Sequence, residues 1–235
     1  MRFGGGVLAG LASLVLVAGV CGAEARGPLR IGQEARRAEA TSSIRPGRVA
    51  PPAVLPAVTS PTPVEEETRP PIGWVDFCRN GHPEDCAARP LAPETIALTT
   101  ALWQRLVAVN RHVNSTIQQV EDIALYGVQE RWTYPDNGKG DCEDLALLKR
   151  RMLIAEGFPR QALLMTVVRD EVGAGHAILT VVTDRGDFIL DSKTNRVLPW
   201  SGTGYGFVKR QSQMNPNLWV RLGEPASPGL TVAGH

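Results

Sequence analysis

The chain has 235 residues, a formal net charge of +1 and 43% hydrophobic residues. Its 25 Lys and Arg are balanced by 24 Asp and Glu, with no basic patch interleaved with aromatics, so nucleic acid is not an expected partner. The length leaves room for one sizeable core besides a leader and a linker.

The first 25 residues read as a signal peptide. Arg2 precedes an apolar run from Val7 to Val20, and Ala23-Glu24-Ala25 offers a small-x-small cleavage site, with Cys21-Gly22-Ala23 as a second option. The run falls short of the ~18 apolar residues that a membrane span requires. Acylation of Cys21 as a lipoprotein anchor is the rival reading, and the bulk of Val20 just before it argues against that. The expectation is a periplasmic or secreted protein with no transmembrane helix in the mature chain. Residues 26–71 hold nine of the 18 prolines and no aromatic residue. Such a stretch buries too little apolar surface to offset its ordering entropy, so it is expected to be a disordered tether. Residues 72–229 carry all five tryptophans and form the expected folded domain, followed by a tail over 230–235.

Within the domain, Ile96, Leu102, Trp103, Leu106 and Val109 recur at helical steps, predicting a helix from Pro93 to about Val113. A shorter helix is predicted over Ser115 to Leu125, then a loop over 132–138. The next helix starts after Asp141 as N-cap. Its first turn carries Glu143 and Asp144, its apolar face Leu145, Leu148, Met152 and Leu153, and Gly157 and Pro159 end it. Lys149, Arg150 and Arg151 near its end suit the helix dipole and read as a solvated face. Strands are predicted over 162–168, 176–182, 188–190, 206–209 and 218–221, with a hairpin turn at Asp184-Arg185-Gly186-Asp187. The Arg-Gly-Asp string there is explained by the turn. Helices first and an antiparallel sheet afterwards is the α+β class.

If cleavage removes Cys21, three cysteines remain. Cys78 and Cys86 flank a turn-rich loop and are expected to pair under oxidising conditions, which leaves Cys142 alone. Cys142 is then either a buried inert thiol or a nucleophile. A helix N-terminus stabilises thiolate, which favours the second. His176 opens one strand of a hairpin and Asp191 ends the other, so the two are expected to share a sheet edge. Nucleophile, base and orienting acid make a set suited to acyl transfer.

Gly140-Asp141-Cys142-Glu143-Asp144-Leu145-Ala146, Gly175-His176-Ala177-Ile178-Leu179 and Leu190-Asp191 together resemble the bacterial transglutaminase-like cysteine peptidases, which include LapG-type periplasmic proteases that clip surface adhesins. Val113-Asn114, Trp132-Thr133-Tyr134-Pro135 and the Phe77-Cys78…Cys86 stretch are similar too, so the resemblance spans roughly residues 72–222. It implies a papain- or transglutaminase-like fold with Cys142 as nucleophile, His176 as general base and acid, and Asp191 fixing the imidazole tautomer. It also implies a protein substrate such as a large adhesin, and an inner-membrane regulatory receptor. Ser192 departs from the Asn that often follows the triad acid. Asp141, Glu143 and Asp144 surround the supposed thiolate with negative charge. Two readings stand: helix caps, or ligands of a calcium ion that cancels the charge, as the resemblance implies. Amide hydrolysis or acyl transfer on cell-wall peptides or glutamine side chains, and a tethered binding module with an idle triad, are the alternative functions.

Overall fold

The computed structural model describes residues 54–87 and 90–223. The expected signal peptide, Cys21, the first part of the proline-rich segment and the tail over 230–235 lie outside the described residues.

Chain order runs from strand β1 (Val64–Thr68) through helices α1 (Ile72–Arg79), α2 (Pro83–Cys86) and α3 (Thr100–Thr116) to strand β2 (Gln118–Gln119). Helix α4 (Asp122–Tyr126), strand β3 (Lys139–Gly140) and helix α5 (Cys142–Ala155) follow. Then come β4 (Leu163–Arg169), β5 (Gly175–Thr183), β6 (Gly186–Leu190), β7 (Leu198–Pro199), β8 (Gly206–Gln211) and β9 (Trp219–Leu222). The main sheet is seven-stranded and antiparallel, ordered β1-β9-β8-β4-β5-β6-β7, and β2 pairs with β3 in parallel. The architecture is α+β, as the order of periodicities predicts. Among the described residues no helix is long and apolar enough to cross a membrane.

Strand alternation divides the packing. Ala177, Leu179 and Val181 of β5 join the helices in the main core, where Leu106, Val109 and Val113 of α3 meet Leu145, Leu147 and Leu153 of α5. Ile178, one step out of phase, belongs to a second cluster with Val168, Ile189, Trp200 and Phe207. Burying each such side chain contributes about 1.5–3 kcal/mol, so α5 is held firmly against the sheet. Cys78 and Cys86 form a disulfide that closes the loop between α1 and α2.

Four expectations are corrected. The tether does not extend to residue 71. Thr59 N–H donates to Arg185 O (2.9 Å), Thr62 N–H to Asp187 Oδ2 (3.0 Å), and β1 pairs with β9. The sequence concealed this because β1 is an edge strand, Val-Glu-Glu-Glu-Thr, with mostly exposed side chains whose stability comes from backbone pairing. The helix expected from Pro93 begins at Thr100, with Thr99 Oγ1 accepting from Leu102 N–H (3.2 Å). Ile96 is buried by a different route, its N–H bonded to Val182 O (3.1 Å) beside the β5–β6 hairpin. The helix expected over 115–125 is split: α3 continues to Thr116, β2 interrupts, and only Asp122–Tyr126 is helical before Gly127 turns left-handed at φ +73°. Finally, the basic trio is not a solvated face. Arg150 is buried and bonds Asp85 and Leu163 O, Lys149 is fully buried, and only Arg151 is at the surface, where it lies over the Tyr134 ring at 3.8 Å.

Candidate active site

The N-terminus of α5 brings Cys142 into a cleft of about 480 Å³ whose walls include Gln119, Glu121, Glu130, Glu143, His176 and Lys193. Gly140 is required just before it: a Cβ there would sit 2.6 Å from the Asp144 carboxylate. The free Cys142 thiol is half-buried and faces two groups. Ala177 N–H donates to Sγ at 3.4 Å, and Sγ lies 3.1 Å from Glu143 Oε2. Burial and then the Glu143 charge push the thiol pKa strongly up, against the Ala177 N–H. In this arrangement the carboxylate accepts from a protonated Cys142.

His176 and Asp191 are brought together by the β5–β6 register. Leu179 stands opposite Leu190, so Asp191 continues the ladder beside Ile178, on the strand face that His176 shares. His176 Nε2 and Asp191 Oδ1 are 2.7 Å apart, both side chains buried, which leaves Nδ1 for a proton exchange. Asp191 Oδ2 accepts from Tyr205 O–H (2.6 Å), Oδ1 accepts from Lys193 N–H (3.0 Å), and Asn114 Nδ2 donates to the Asp191 carbonyl (2.9 Å). Burial works against the Asp191 anion, but the hydrogen bonds from His176, Tyr205 and Lys193 hold its pKa below the usual carboxylate range. The Tyr205 ring also meets the His176 ring edge-on at 5.8 Å. Tyr205 escaped the sequence reading. Its aromatic ring between Gly204 and Gly206 was the available signal.

The acids near Cys142 do not all converge. Carboxylate oxygens of Asp122, Asp141 and Glu143 lie within 4.8 Å of one another. Asp144 is not in that set: its Oδ1 accepts from Thr133 N–H at 2.8 Å. Asp122 was missed because it lies twenty residues upstream of Cys142, and nothing local relates the two. Asp141 occupies the N-cap position of α5 but makes no side-chain capping bond; its Oδ2 accepts from Asp122 N–H at 3.3 Å. Asp122 Oδ2 accepts from Arg131 N–H, while Oδ1 of Asp122 and Oδ1 of Asp141 are buried with no hydrogen-bond partner among the described residues. Burial, then the Asp141 charge, raises Asp122 to about 6. Burial, only partly offset by Thr133 N–H, raises Asp144 to about 8. Glu143 is raised by burial and by Asp141. Hard oxygen donors, crowded, buried and short of partners, fit a calcium ion and do not fit simple helix caps. His82, Glu84 and Asp85 also converge, but His82 stacks on Phe77 and Asp85 is committed to Arg150 and Tyr134, so that group is structural.

A family model described as bacterial transglutaminase-like cysteine proteinase matches residues 64–227. Among solved structures, the chain is similar to Legionella pneumophila LapG, at 25% identity over 51% of this chain and 67% of that one, with a TM-score of 0.44. A calcium-bound form of Legionella pneumophila LapG matches at 26% identity over 55% of this chain and 75% of that one, with a TM-score of 0.45. No curated protein sequence matches the chain.

Proposed function

The chain belongs to the bacterial transglutaminase-like cysteine proteinases and is a cysteine peptidase, and on that premise we propose that Cys142, His176 and Asp191 are its nucleophile, general base and orienting acid. The observation that carries this reading is the His176 Nε2–Asp191 Oδ1 bond beside the cleft that holds the free Cys142 thiol. His176 Nδ1 takes the thiol proton as Sγ attacks the scissile carbonyl, and returns it to the leaving amine. Water then hydrolyses the acyl-enzyme with His176 again as base. Asp191, ionised and triply hydrogen-bonded, keeps the imidazole in the tautomer that accepts at Nδ1. The Cys142 backbone N–H at the start of α5 is the oxyanion donor assigned from this chain.

Asp122, Asp141 and Glu143 are the residues we propose hold calcium. The cation supplies positive charge that cancels the carboxylates opposing the Cys142 thiolate. Glu143, once drawn to a cation, no longer favours the protonated thiol. Asp144, placed in the ligand set by the sequence reading, is left out of this proposal because its Oδ1 accepts from Thr133 N–H. Export to the periplasm or beyond is proposed from the leader pattern over 1–25. A surface adhesin as substrate and an inner-membrane receptor as regulator are proposed from the sequence resemblance alone.

The test is turnover of a protein substrate by Cys142→Ala, His176→Ala and Asp191→Asn, with circular dichroism as the folding control. Cys142→Ala is expected to abolish turnover with the spectrum unchanged, since Ala supports the helix start. Wild-type turnover by folded Cys142→Ala sinks the assignment.

A further inference from the structure

Acyl transfer puts a negative charge on the former carbonyl oxygen, and removing one of the donors that hold it costs about 10²–10³ in rate. The Cys142 N–H at the start of α5 is one donor. A second is needed all the more here, because Glu121, Glu130 and Glu143 line the cleft with carboxylates that oppose an oxyanion. The other donors in reach of the cleft differ in what already occupies them. Lys193 is drawn off by Asp170. Ser192 Oγ is buried and has no surface on the cleft. Gln129 is exposed on the bend after α4. The Ala177 N–H is spent on the Cys142 sulfur, at 3.4 Å. Gln119 remains.

Gln119 ends β2 and stands opposite Gly140 of β3, two residues before Cys142. Main-chain bonds fix that pairing, from Gln118 N–H to Gly138 O (2.9 Å) and from Val120 N–H to Gly140 O (3.0 Å). Paired strands run about 4.8 Å apart, so β2 lies alongside the approach to the nucleophile. The Gln119 side chain reaches the segment after Asp191, where Nε2 donates to Ser192 O at 3.2 Å. A carbonyl only accepts, so the amide nitrogen faces Ser192, and that nitrogen carries two hydrogens. One is spent on Ser192 O and pins the carboxamide. The other has no partner among the described residues, in a cleft that Gln119, Cys142, His176 and Ser192 all line.

Resting on the triad reading above, we propose that Gln119 is a catalytic residue: its free Nε2–H is the second oxyanion donor, acting with the Cys142 N–H. Attack forms the Sγ–C bond and moves the carbonyl π pair onto oxygen, where the two N–H groups meet it. As the C–N bond breaks the pair returns, and the amine leaves with the proton that His176 took from the thiol. The bond to Ser192 O holds the carboxamide in place beforehand, so no reorganisation is needed at the moment of reaction. A neutral amide also suits this cleft better than a cation, which neighbouring carboxylates capture as Asp170 captures Lys193.

The experiment uses the full chain in calcium-containing buffer with N-acetylaminoacetaldehyde, labelled with carbon-13 at the aldehyde. This probe adds reversibly to a reactive thiol, places an oxygen where the oxyanion forms, and has no side chain that needs a pocket. Iodoacetamide alkylates the same thiol at a saturated carbon, makes no oxyanion, and so reports Cys142 reactivity alone. Gln119→Ala and Gln119→Met both remove the donor and keep the main-chain bonds between β2 and β3. Each is expected to weaken hemithioacetal formation on Cys142 roughly 10- to 100-fold by carbon-13 NMR titration, with the iodoacetamide rate unchanged. Hemithioacetal formation equal to wild type in either folded variant overturns the proposal. So does a loss matched by an equal fall in alkylation rate, which marks Gln119 as a brace for the 192 segment and not a donor. A wild type that alkylates at Cys142 yet forms no hemithioacetal has no working oxyanion site and overturns it too. The triad reading fails separately, through a Cys142 that does not alkylate or through wild-type turnover by folded Cys142→Ala.

Discussion

Replacing Asp85 with Ala tests how the disulfide loop supports the helix that bears Cys142. Asp85 lies in α2, one residue before Cys86. It receives the Arg150 guanidinium and, at 2.5 Å, the Tyr134 hydroxyl. Both members of the ion pair are nearly dry, with side chains 2% and 4% exposed. Removing the carboxylate leaves a buried guanidinium whose remaining partner is the Leu163 carbonyl. Breaking a buried pair from one side costs about 3–5 kcal/mol. For a domain of this size each kcal/mol lowers the melting temperature by about 2–4 °C, so the expected drop is roughly 6–20 °C. Urea and thermal melts followed by circular dichroism, in non-reducing buffer, measure it. Adding Arg150→Met should restore part of the loss, since the orphaned charge leaves with it. A loss below about 1 kcal/mol for Asp85→Ala would refute the claim that this pair clamps the loop to α5.

Tyr205→Phe removes a hydrogen bond to the Asp191 carboxylate while keeping the ring against His176; kcat/KM is expected to fall roughly tenfold, about 1.4 kcal/mol, with the fold intact. Metal-stripped protein titrated with calcium by calorimetry is expected to bind one ion, and Asp122→Asn with Asp141→Asn to give no heat; full activity in chelator with no heat for either would leave these acids without a metal role. In chelator, stability is expected to fall as pH rises from about 4 to 7: Asp122, at about 6, and Asp144, at about 8, hold protons in the folded state that the unfolded chain has released. Calcium should flatten that slope in thermal melts, and a slope unaltered by calcium would count against the cluster as its site.

The residues proposed to carry the chemistry were legible because their signals are local. Cys142 stands at a helix start read from Asp141 and the apolar spacing behind it, and the hairpin linking His176 to Asp191 follows from two short strands and a turn. Features made by long-range pairing were not legible. β1 looked like linker because an exposed edge strand of glutamates has no apolar alternation. Arg150 looked solvated because helix position predicts a dipole contact but says nothing of a carboxylate folded over from residue 85. Asp122 reaches the cluster only because β2 pairs with β3 and so sets α4 beside the start of α5, a non-local consequence of two two-residue strands. Tyr205 meets Asp191 across fourteen residues of chain; the glycines that flank it single out the ring but not its acid partner.

The central claim, that His176 activates Cys142 as the nucleophile, is tested most directly by the rate and site of labelling with a peptidyl epoxide in calcium-containing buffer. Mass spectrometry of the digested protein is expected to find the adduct on Cys142 alone in wild type and none in Cys142→Ala. In folded His176→Ala the labelling rate should drop steeply, because the thiol then lacks the base that takes its proton. Labelling of Cys142 at the wild-type rate in folded His176→Ala would contradict the account.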